Sequence, residues 1–181
     1  PDDATEVVVH GPAEPFEGVV RPGHFAGVAT VVLKLVQMVP AQAAYFGAKD
    51  WQQTRVVRQM VRDLAVPIEI VVCPTIREPD GLALSSRNAY LSAADRSRAV
   101  ALAAALSRAA ELWQASAAID AIEAVMRETM EHQGIAVDYA AVVDAESLVP
   151  AAAAPAVALV AGRLGTTRLI DNRLLPARTV R

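Results

Sequence analysis

The sequence has a single cysteine, few aromatic residues and no excess of positive charge. Cys73 is the only cysteine among 181 residues, which excludes a disulfide framework and fits a reducing, cytoplasmic location. We expect its thiol to be buried in an apolar strand. The net charge of -3 provides no basic field for nucleic acid or anionic lipid, so neither is an expected partner. Because aromatics are only 4% of a 54% hydrophobic chain rich in alanine, closely packed helices are predicted.

No apolar run is long enough to predict a membrane span. The most apolar late stretch, residues 148–161, is interrupted by Pro150 and Pro155. The first residues lack the basic region and apolar core of a secretory signal. Since the chain begins at Pro1 and not at Met, we expect the sequence to represent part of a longer polypeptide.

Residues 5–73 show the pattern of an α/β unit. Strands are predicted at 5–10, 43–46 and 68–73, a loop at 17–25, a buried helix at 28–39 and an amphipathic helix at 51–64. In the last helix Arg55 is expected to point away from the apolar face. The order strand, turn, helix and strand over 43–73 predicts a parallel pair, with its turn at the carboxyl edge where such folds bind ligands.

The second half predicts a small α+β domain with an antiparallel sheet. Helices are expected at 93–113 and 117–133, followed by strands at 135–144, 156–161 and 166–171. Ser92 with Asp95 fits a capping box, and Gly134 is a natural helix stop.

The most polar segment lies between these halves, at residues 75–90. Ser85, Ser86, Arg87 and Asn88 offer hydroxyls, a guanidinium and an amide that can hold phosphate oxygens. A pivot at Gly81 would let the loop close over a nucleotide. The alternative is that these residues are ordinary turn and capping material.

Four strings resemble one enzyme family. Residues 77–88, R-E-P-D-G-L-A-L-S-S-R-N, closely resemble the R-E-x-D-G-L-A-M-S-S-R-N signature of the pantothenate synthetases, with Leu84 in place of Met. Residues 21–28, R-P-G-H-F-A-G-V, and residues 46–53, F-G-A-K-D-W-Q-Q, are similar to further family strings, although Ala48 replaces an acidic residue. Residues 162–172 resemble the family's late G-x-T-R-L-I-D-N strand, whose charged residues we interpret as structural.

The resemblance implies a fold class and a domain boundary. The chain is expected to be α/β: the second part of a Rossmann-like parallel sheet domain at 1–75, followed by a C-terminal α+β lid domain with antiparallel strands at 76–181. Family members carry an upstream H-x-G-H motif that this sequence lacks. We therefore expect the chain to be the C-terminal part of the enzyme, to need the missing N-terminal part and to form a homodimer, as the family does.

The resemblance also implies the site. ATP would contact Gly47, Ala48, Lys49, Asp50, Ile76, Leu84, Ser85, Ser86 and Arg87. Lys49, Ser85, Ser86 and Arg87 would be catalytic, Gln53 would bind pantoate, and Arg21 and His24 are second-tier candidates. No protein metal ligand is expected. Two alternatives stay open: Asp50 with Gln53 also fits a capping box, and a lone histidine beside Phe25 is often structural.

The reaction implied is the ATP-dependent condensation of pantoate with β-alanine. The expected partners are pantoate, β-alanine and ATP, with Mg2+ as cofactor, and the expected intermediate is pantoyl adenylate. The alternative is a noncatalytic nucleotide-binding or assembly module that lost the histidine half; Ala48 is the residue that favours it.

Overall fold

The structure, a computed structural model, describes residues 4–151 and 155–176. The chain divides into two compact units, Pro1–Pro74 and Thr75–Arg181, which are described separately. The elements of the first unit are α1 (Glu17–Val20), α2 (His24–Met38), β1 (Ala43–Gly47), a 3₁₀ turn (Ala48–Asp50), α3 (Trp51–Asp63) and β2 (Glu69–Cys73).

The centre of the first unit is the predicted β-α-β arrangement. β1 and β2 pair in parallel, from Ala43 opposite Glu69 to Gly47 opposite Cys73, and α3 connects them. The apolar face of α3 packs against α2 and β2 because its buried residues recur at helical spacing. The core of this unit consists of Val9, Phe25, Ala29, Val56, Val57, Met60 and Ile70.

The predicted strand at 5–10 is wrong. These residues form neither helix nor strand, and the Val7 amide donates to the Thr30 hydroxyl at 2.8 Å instead of to a neighbouring strand. The predicted loop at 17–25 contains α1. In addition, α2 begins at His24 and not at residue 28. No proline interrupts its first backbone hydrogen bonds, one of which joins the Gly27 amide to the Gly23 carbonyl.

Burial in this unit also differs from the sequence expectation. On α2, Val31, Leu35 and Met38 are 50%, 53% and 74% exposed, so this helix is not the buried one that its composition predicts. Arg55 was expected to face away from the core but is buried, with its guanidinium 4.4 Å above the Trp51 ring. The thiol of Cys73 is half-buried rather than fully buried.

The second unit has the expected α+β architecture. The elements are a 3₁₀ turn (Ser86–Tyr90), α4 (Ala93–Ala99), α5 (Ala101–Gln114), α6 (Ile119–Glu131), β3 (Ala136–Asp144), β4 (Ala156–Leu164) and β5 (Thr167–Leu175). The strands form an antiparallel sheet in the order β3, β4, β5, and α5 and α6 pack on one face.

The core of the second unit lies between this helix pair and the sheet. Its largest fully buried side chains are Leu102, Leu106, Trp113, Ile122, Met126, Met130, Val142 and Leu164. Helix α6 ends at Glu131, and Gly134 follows with a φ of +72°, the left-handed conformation that favours glycine. The predicted fold class, a parallel pair followed by an antiparallel α+β unit, is thus confirmed. Among the residues described, no helix combines the length and the apolar character needed to cross a membrane.

The two predicted capping boxes have different outcomes. Ser92 caps α4, because its hydroxyl accepts the Asp95 amide at 3.1 Å. Asp50 precedes α3 but makes no capping hydrogen bond. Its φ of -95° and ψ of 57° lie outside the extended conformation that aims an N-cap side chain at the helix amides, so the second box is wrong.

We expect Ser92→Ala to lower the free energy of unfolding of the second unit by about 1 kcal/mol, because it removes the acceptor of an otherwise unpaired helix amide. Asp50→Ala is the matched control in the first unit and should change stability little, since no capping bond is lost. Urea unfolding of single-tryptophan variants reports each unit, because Trp51 and Trp113 lie in different units. Equal losses for the two substitutions would contradict this assignment of the caps.

Candidate functional site

The polar segment of the second unit begins as a short hairpin. Arg77 and Ala83 form an antiparallel bridge, and the Leu84 amide donates to the Ile76 carbonyl at 2.9 Å. Gly81 closes the turn with a φ of +93°, a conformation that side-chain-bearing residues rarely adopt. The sequence suggested a pivot at Gly81, whereas the structure shows a turn inside a bonded hairpin.

Arg77 fastens this hairpin to the last strand. Its guanidinium donates to both carboxylate oxygens of Asp171, at 2.7 and 3.0 Å, and to the Asn172 carbonyl at 3.2 Å. The Asp171 side chain is 1% exposed. The R-L-I-D-N string therefore has the structural role that the sequence analysis favoured: its aspartate receives the arginine that opens the polar segment.

Arg96 on α4 fastens the turn of the hairpin. It donates to Glu78 and to Asp80, each at 2.7 Å. These hydrogen bonds are the main reason that the pKa values of both carboxyls lie below their ordinary range. Sequence reasoning missed Arg96, because the contact joins residues 16 to 18 positions apart across an irregular loop and follows no helical or strand period.

The segment ends by presenting two unpaired polar side chains. The Ser85 hydroxyl accepts the Arg87 amide at 3.2 Å, so Ser85 does serve as a cap. Ser86 is exposed and Arg87 half-exposed, and neither side chain bonds to another described residue. Ile76 and Leu84, next to each other across the hairpin, are 71% and 56% exposed. The structure thus brings together all five site residues predicted in this unit.

The predicted site residues of the first unit lie at the carboxyl edge of its parallel pair. Gly47 ends β1, and the 3₁₀ turn Ala48–Asp50 leads into the amino end of α3. Lys49 is half-buried and Asp50 exposed. The edge combines a lysine with the positive end of a helix dipole, which suits an anion. The methyl group of Ala48 supplies no carboxylate.

The two neighbouring glutamines at the start of α3 have different environments. Gln52 is buried: its amide nitrogen donates to the Pro12 and Pro15 carbonyls at 2.9 and 2.6 Å, and its oxygen accepts the Glu17 amide at 3.1 Å. Gln53 is half-buried and its amide bonds to no other described residue. Sequence reasoning missed Gln52, because its partners lie 35 to 40 residues away.

Arg21 and His24 form a contact next to this glutamine-bound loop. The Arg21 guanidinium lies 3.0 Å from His24 Nε2 and 4.0 Å from the buried Glu17 carboxylate. The backbone amide of Glu17 in turn donates to the side-chain oxygen of Gln52. The structure therefore brings the two second-tier candidates together and shows how the loop that carries them is held.

Ser86 and Arg87 are residue types that can hold phosphate oxygens, and a magnesium ion there would be held mainly through those phosphates. In residues 4–151 and 155–176 no group of three histidine, cysteine, aspartate or glutamate side chains could hold a metal. Mg2+ commonly keeps several waters and binds through substrate phosphates. Free side chains at Ser86 and Arg87 suit the phosphate oxygens, and the exposed Ile76 and Leu84 suit an apolar ring.

Comparison with known proteins gives consistent matches. The profile of the family described as pantoate-beta-alanine ligase matches residues 1–174. A pantothenate synthetase of Acidiphilium cryptum is 51% identical over 174 residues, which are 95% of this chain and 63% of that protein. The crystal structure of pantothenate synthetase from Thermus thermophilus superimposes with a TM-score of 0.92 at 47% identity, over 97% of this chain and 66% of that one.

A third match has ligands bound. The crystal structure of the Francisella tularensis pantoate-beta-alanine ligase, complexed with beta-gamma ATP and beta-alanine, has a TM-score of 0.72 and 32% identity. It matches 94% of this chain and 58% of that chain. This chain therefore spans about 63% of the length of the Acidiphilium relative and less than two thirds of either solved structure.

We expect Gln52→Ala to lower the free energy of unfolding of the first unit by about 2–3 kcal/mol, because it leaves two carbonyls and one amide without their partner. Gln53→Ala, the adjacent control, should change stability by less than about 0.5 kcal/mol, since no hydrogen bond is lost. Urea unfolding followed by circular dichroism measures both. Similar losses for both variants would show that the Gln52 bonds contribute little.

Proposed function

Because the chain belongs to the pantoate-beta-alanine ligase family, we propose that it contributes to the ATP-dependent condensation of pantoate with β-alanine to give pantothenate. The observation that carries the proposal is that Ser86 and Arg87 have no side-chain partner among the described residues and follow a hairpin that is fixed at its first limb by Arg77 and at its turn by Arg96. The ligands bound to the Francisella relative support ATP and β-alanine as substrates of the same reaction.

The reaction has two steps. A carboxylate oxygen of pantoate attacks the α-phosphorus of ATP, the bond to the β-phosphate oxygen breaks, and pantoyl adenylate and pyrophosphate form. The amine of β-alanine then attacks the acyl carbon, AMP leaves, and the amine loses a proton. The protein must hold two anions together and stabilise negative charge on the phosphates, which requires no protein nucleophile.

Each predicted residue has a role in this proposal. Lys49, Ser85, Ser86 and Arg87 stabilise charge on the phosphates, and Mg2+, bound with the nucleotide, supplies further charge neutralisation. Gly47, Ala48, Asp50, Ile76 and Leu84 contact the rest of ATP, and Gln53 donates to pantoate through its free amide. Arg21 and His24 have a secondary role in binding anions. We further propose a cytoplasmic homodimer in which residues 1–75 are the remainder of the nucleotide-binding domain and residues 76–181 form the lid domain.

A noncatalytic nucleotide-binding module is the second candidate. Ala48 favours it, because an acidic side chain near Lys49 is missing. Both candidates predict that MgATP binds. They differ in turnover, so titration with MgATP followed by pantoate and β-alanine, with AMP and pyrophosphate assayed, separates them.

We also propose that the first unit packs against a segment equivalent to the part of the relatives that this sequence does not match. The evidence is the apolar side of α2, where Val31, Leu35 and Met38 are largely exposed, together with the exposed Tyr45 on β1. Covering such side chains contributes about 25 cal/mol per Å² of apolar surface. Turnover then needs this segment, whether it is joined to the chain or added separately.

We expect Lys49→Ala and Arg87→Ala each to slow adenylate formation by about two to four orders of magnitude, because each removes a charge that stabilises the transition state. Pantoate-dependent pyrophosphate release is the measurement, made with the equivalent N-terminal segment added. Arg108→Ala is the control, since this exposed arginine on α5 pairs only with Glu111 among the described residues. Near-normal release in both variants would place the site elsewhere.

We expect Leu35→Glu to weaken binding of the part of the Acidiphilium relative that this chain does not match by tenfold or more, because it puts a charge into a covered apolar surface. Leu174→Glu is the control, since Leu174 is equally exposed but lies on β5 of the second unit. Isothermal titration of the purified segment into each variant gives the affinities. If both variants bind as the parent chain does, the α2 surface is not the contact.

A further inference from the structure

Arg96 holds the turn of the polar hairpin from outside it. One guanidinium nitrogen donates to Glu78 and another to Asp80, and the side chain is mostly buried by these contacts. A planar guanidinium can bond two carboxylates in fixed directions, which the ammonium group of a lysine cannot reproduce. The Arg96 hydrogen bonds lower the pKa of both carboxyls, which favours their ionised forms.

Glu78 passes this restraint on to the segment that follows. Its second carboxylate oxygen accepts the Asn88 side-chain amide at 3.1 Å, and the same amide donates to the Ala83 carbonyl at 3.1 Å. The Asn88 backbone amide donates to the Ser85 carbonyl at 3.0 Å. Asn88 thus connects the hairpin limb to the 3₁₀ turn that carries Ser86 and Arg87.

The orientation of the Asn88 amide depends on Glu78. The side-chain oxygen of Asn88 is buried and accepts no hydrogen bond from any described group. Only the two bonds donated by the side-chain nitrogen therefore fix the plane of the Asn88 amide. If Glu78 moves or is neutralised, one of these two bonds weakens and the turn at residues 85–88 loses its connection to Glu78.

We propose that Arg96 is a positioning residue for the phosphate-binding segment Ser85–Arg87, acting through Glu78 and Asn88. The inference rests on the proposed function, since it assumes that this segment binds the nucleotide. It adds a residue that lies outside the family signature quoted above.

The charges of the cluster argue against direct binding of ATP by Arg96. Two carboxylates surround its single positive charge, so the group as a whole is negative and does not attract phosphate. Arg87, in contrast, makes no ion pair with a described residue. Arg96 is therefore engaged in holding the segment, and Arg87 remains available for the ligand.

A double-mutant cycle on MgATP affinity tests the proposal in the 181-residue chain. We expect Arg96→Met and Glu78→Gln each to raise the Kd about tenfold, since small losses of orientation are costly. The double variant should be no weaker than the weaker single one, because both changes break the same connection. If Arg96 bound phosphate directly, Glu78→Gln would leave affinity unchanged or improve it and the effects would add; that result overturns the proposal.

Two further variants separate positioning from a general loss of stability. Arg98→Met removes an arginine from the same helix, where it pairs with Asp95 in the next turn, and should change the Kd less than about twofold. Arg96→Lys keeps the charge and the fold but loses the fork, so it should restore less than half of the affinity loss. Full rescue by lysine would overturn the role of guanidinium geometry.

Hydrogen exchange of the amides at 83–88 gives a readout that needs no nucleotide. Faster exchange in Arg96→Met than in Arg98→Met supports the proposal, and unchanged exchange overturns it. If the parent chain binds no MgATP while exchange still responds to Arg96, the proposed function of this chain fails and the restraint by Arg96 stands. The two failures are therefore distinguishable.

Discussion

The bidentate pair between Arg77 and Asp171 determines where the polar segment lies within its unit. Asp171 lies in the middle of β5, an edge strand of the antiparallel sheet, and its carboxylate is removed from solvent. Removing one partner of such a pair typically costs 3–5 kcal/mol, and the partial exposure of Arg77 reduces this figure. The segment thus acquires a fixed starting point on a buried carboxylate of the sheet.

Because of this constraint, the polar side chains of the segment have two different roles. Arg77 and Arg96 have carboxylate partners and hold the first limb and the turn of the hairpin, whereas the side chains of Ser86 and Arg87 have no partner among the described residues. Donors that are already oriented need no rearrangement when negative charge develops on a ligand, which is the usual source of electrostatic catalysis.

The sequence predicts those parts of the structure that depend on local patterns. The apolar periods of α3 and α6 and the alternation of β3 are visible within short windows, so these elements were expected close to their observed bounds. The single helix expected at 93–113 is wrong: the structure has two helices there, α4 and α5, with an interruption at Val100. That residues 5–10 form no strand could not be predicted from their own sequence, because a strand needs a neighbouring strand to pair with. Gln52 and Arg96 escaped for a related reason: their partners lie 16 to 40 residues away, and no spacing rule encodes them. The candidate ligand-binding residues came from resemblance to a family, not from physical pattern.

The same distinction explains the composition of α2. Its sequence is apolar on nearly every side, which is typical of a helix buried all around, yet only Phe25 and Ala29 are buried by the described residues. An apolar helix in contact with water loses the stabilisation that its composition could provide, and it favours association with other chain material. The β-α-β unit that carries Lys49 packs on this helix. Covering α2 would therefore stabilise the same unit that presents the lysine, and in the proposed ligase binding of the additional segment and assembly of the anion site are coupled.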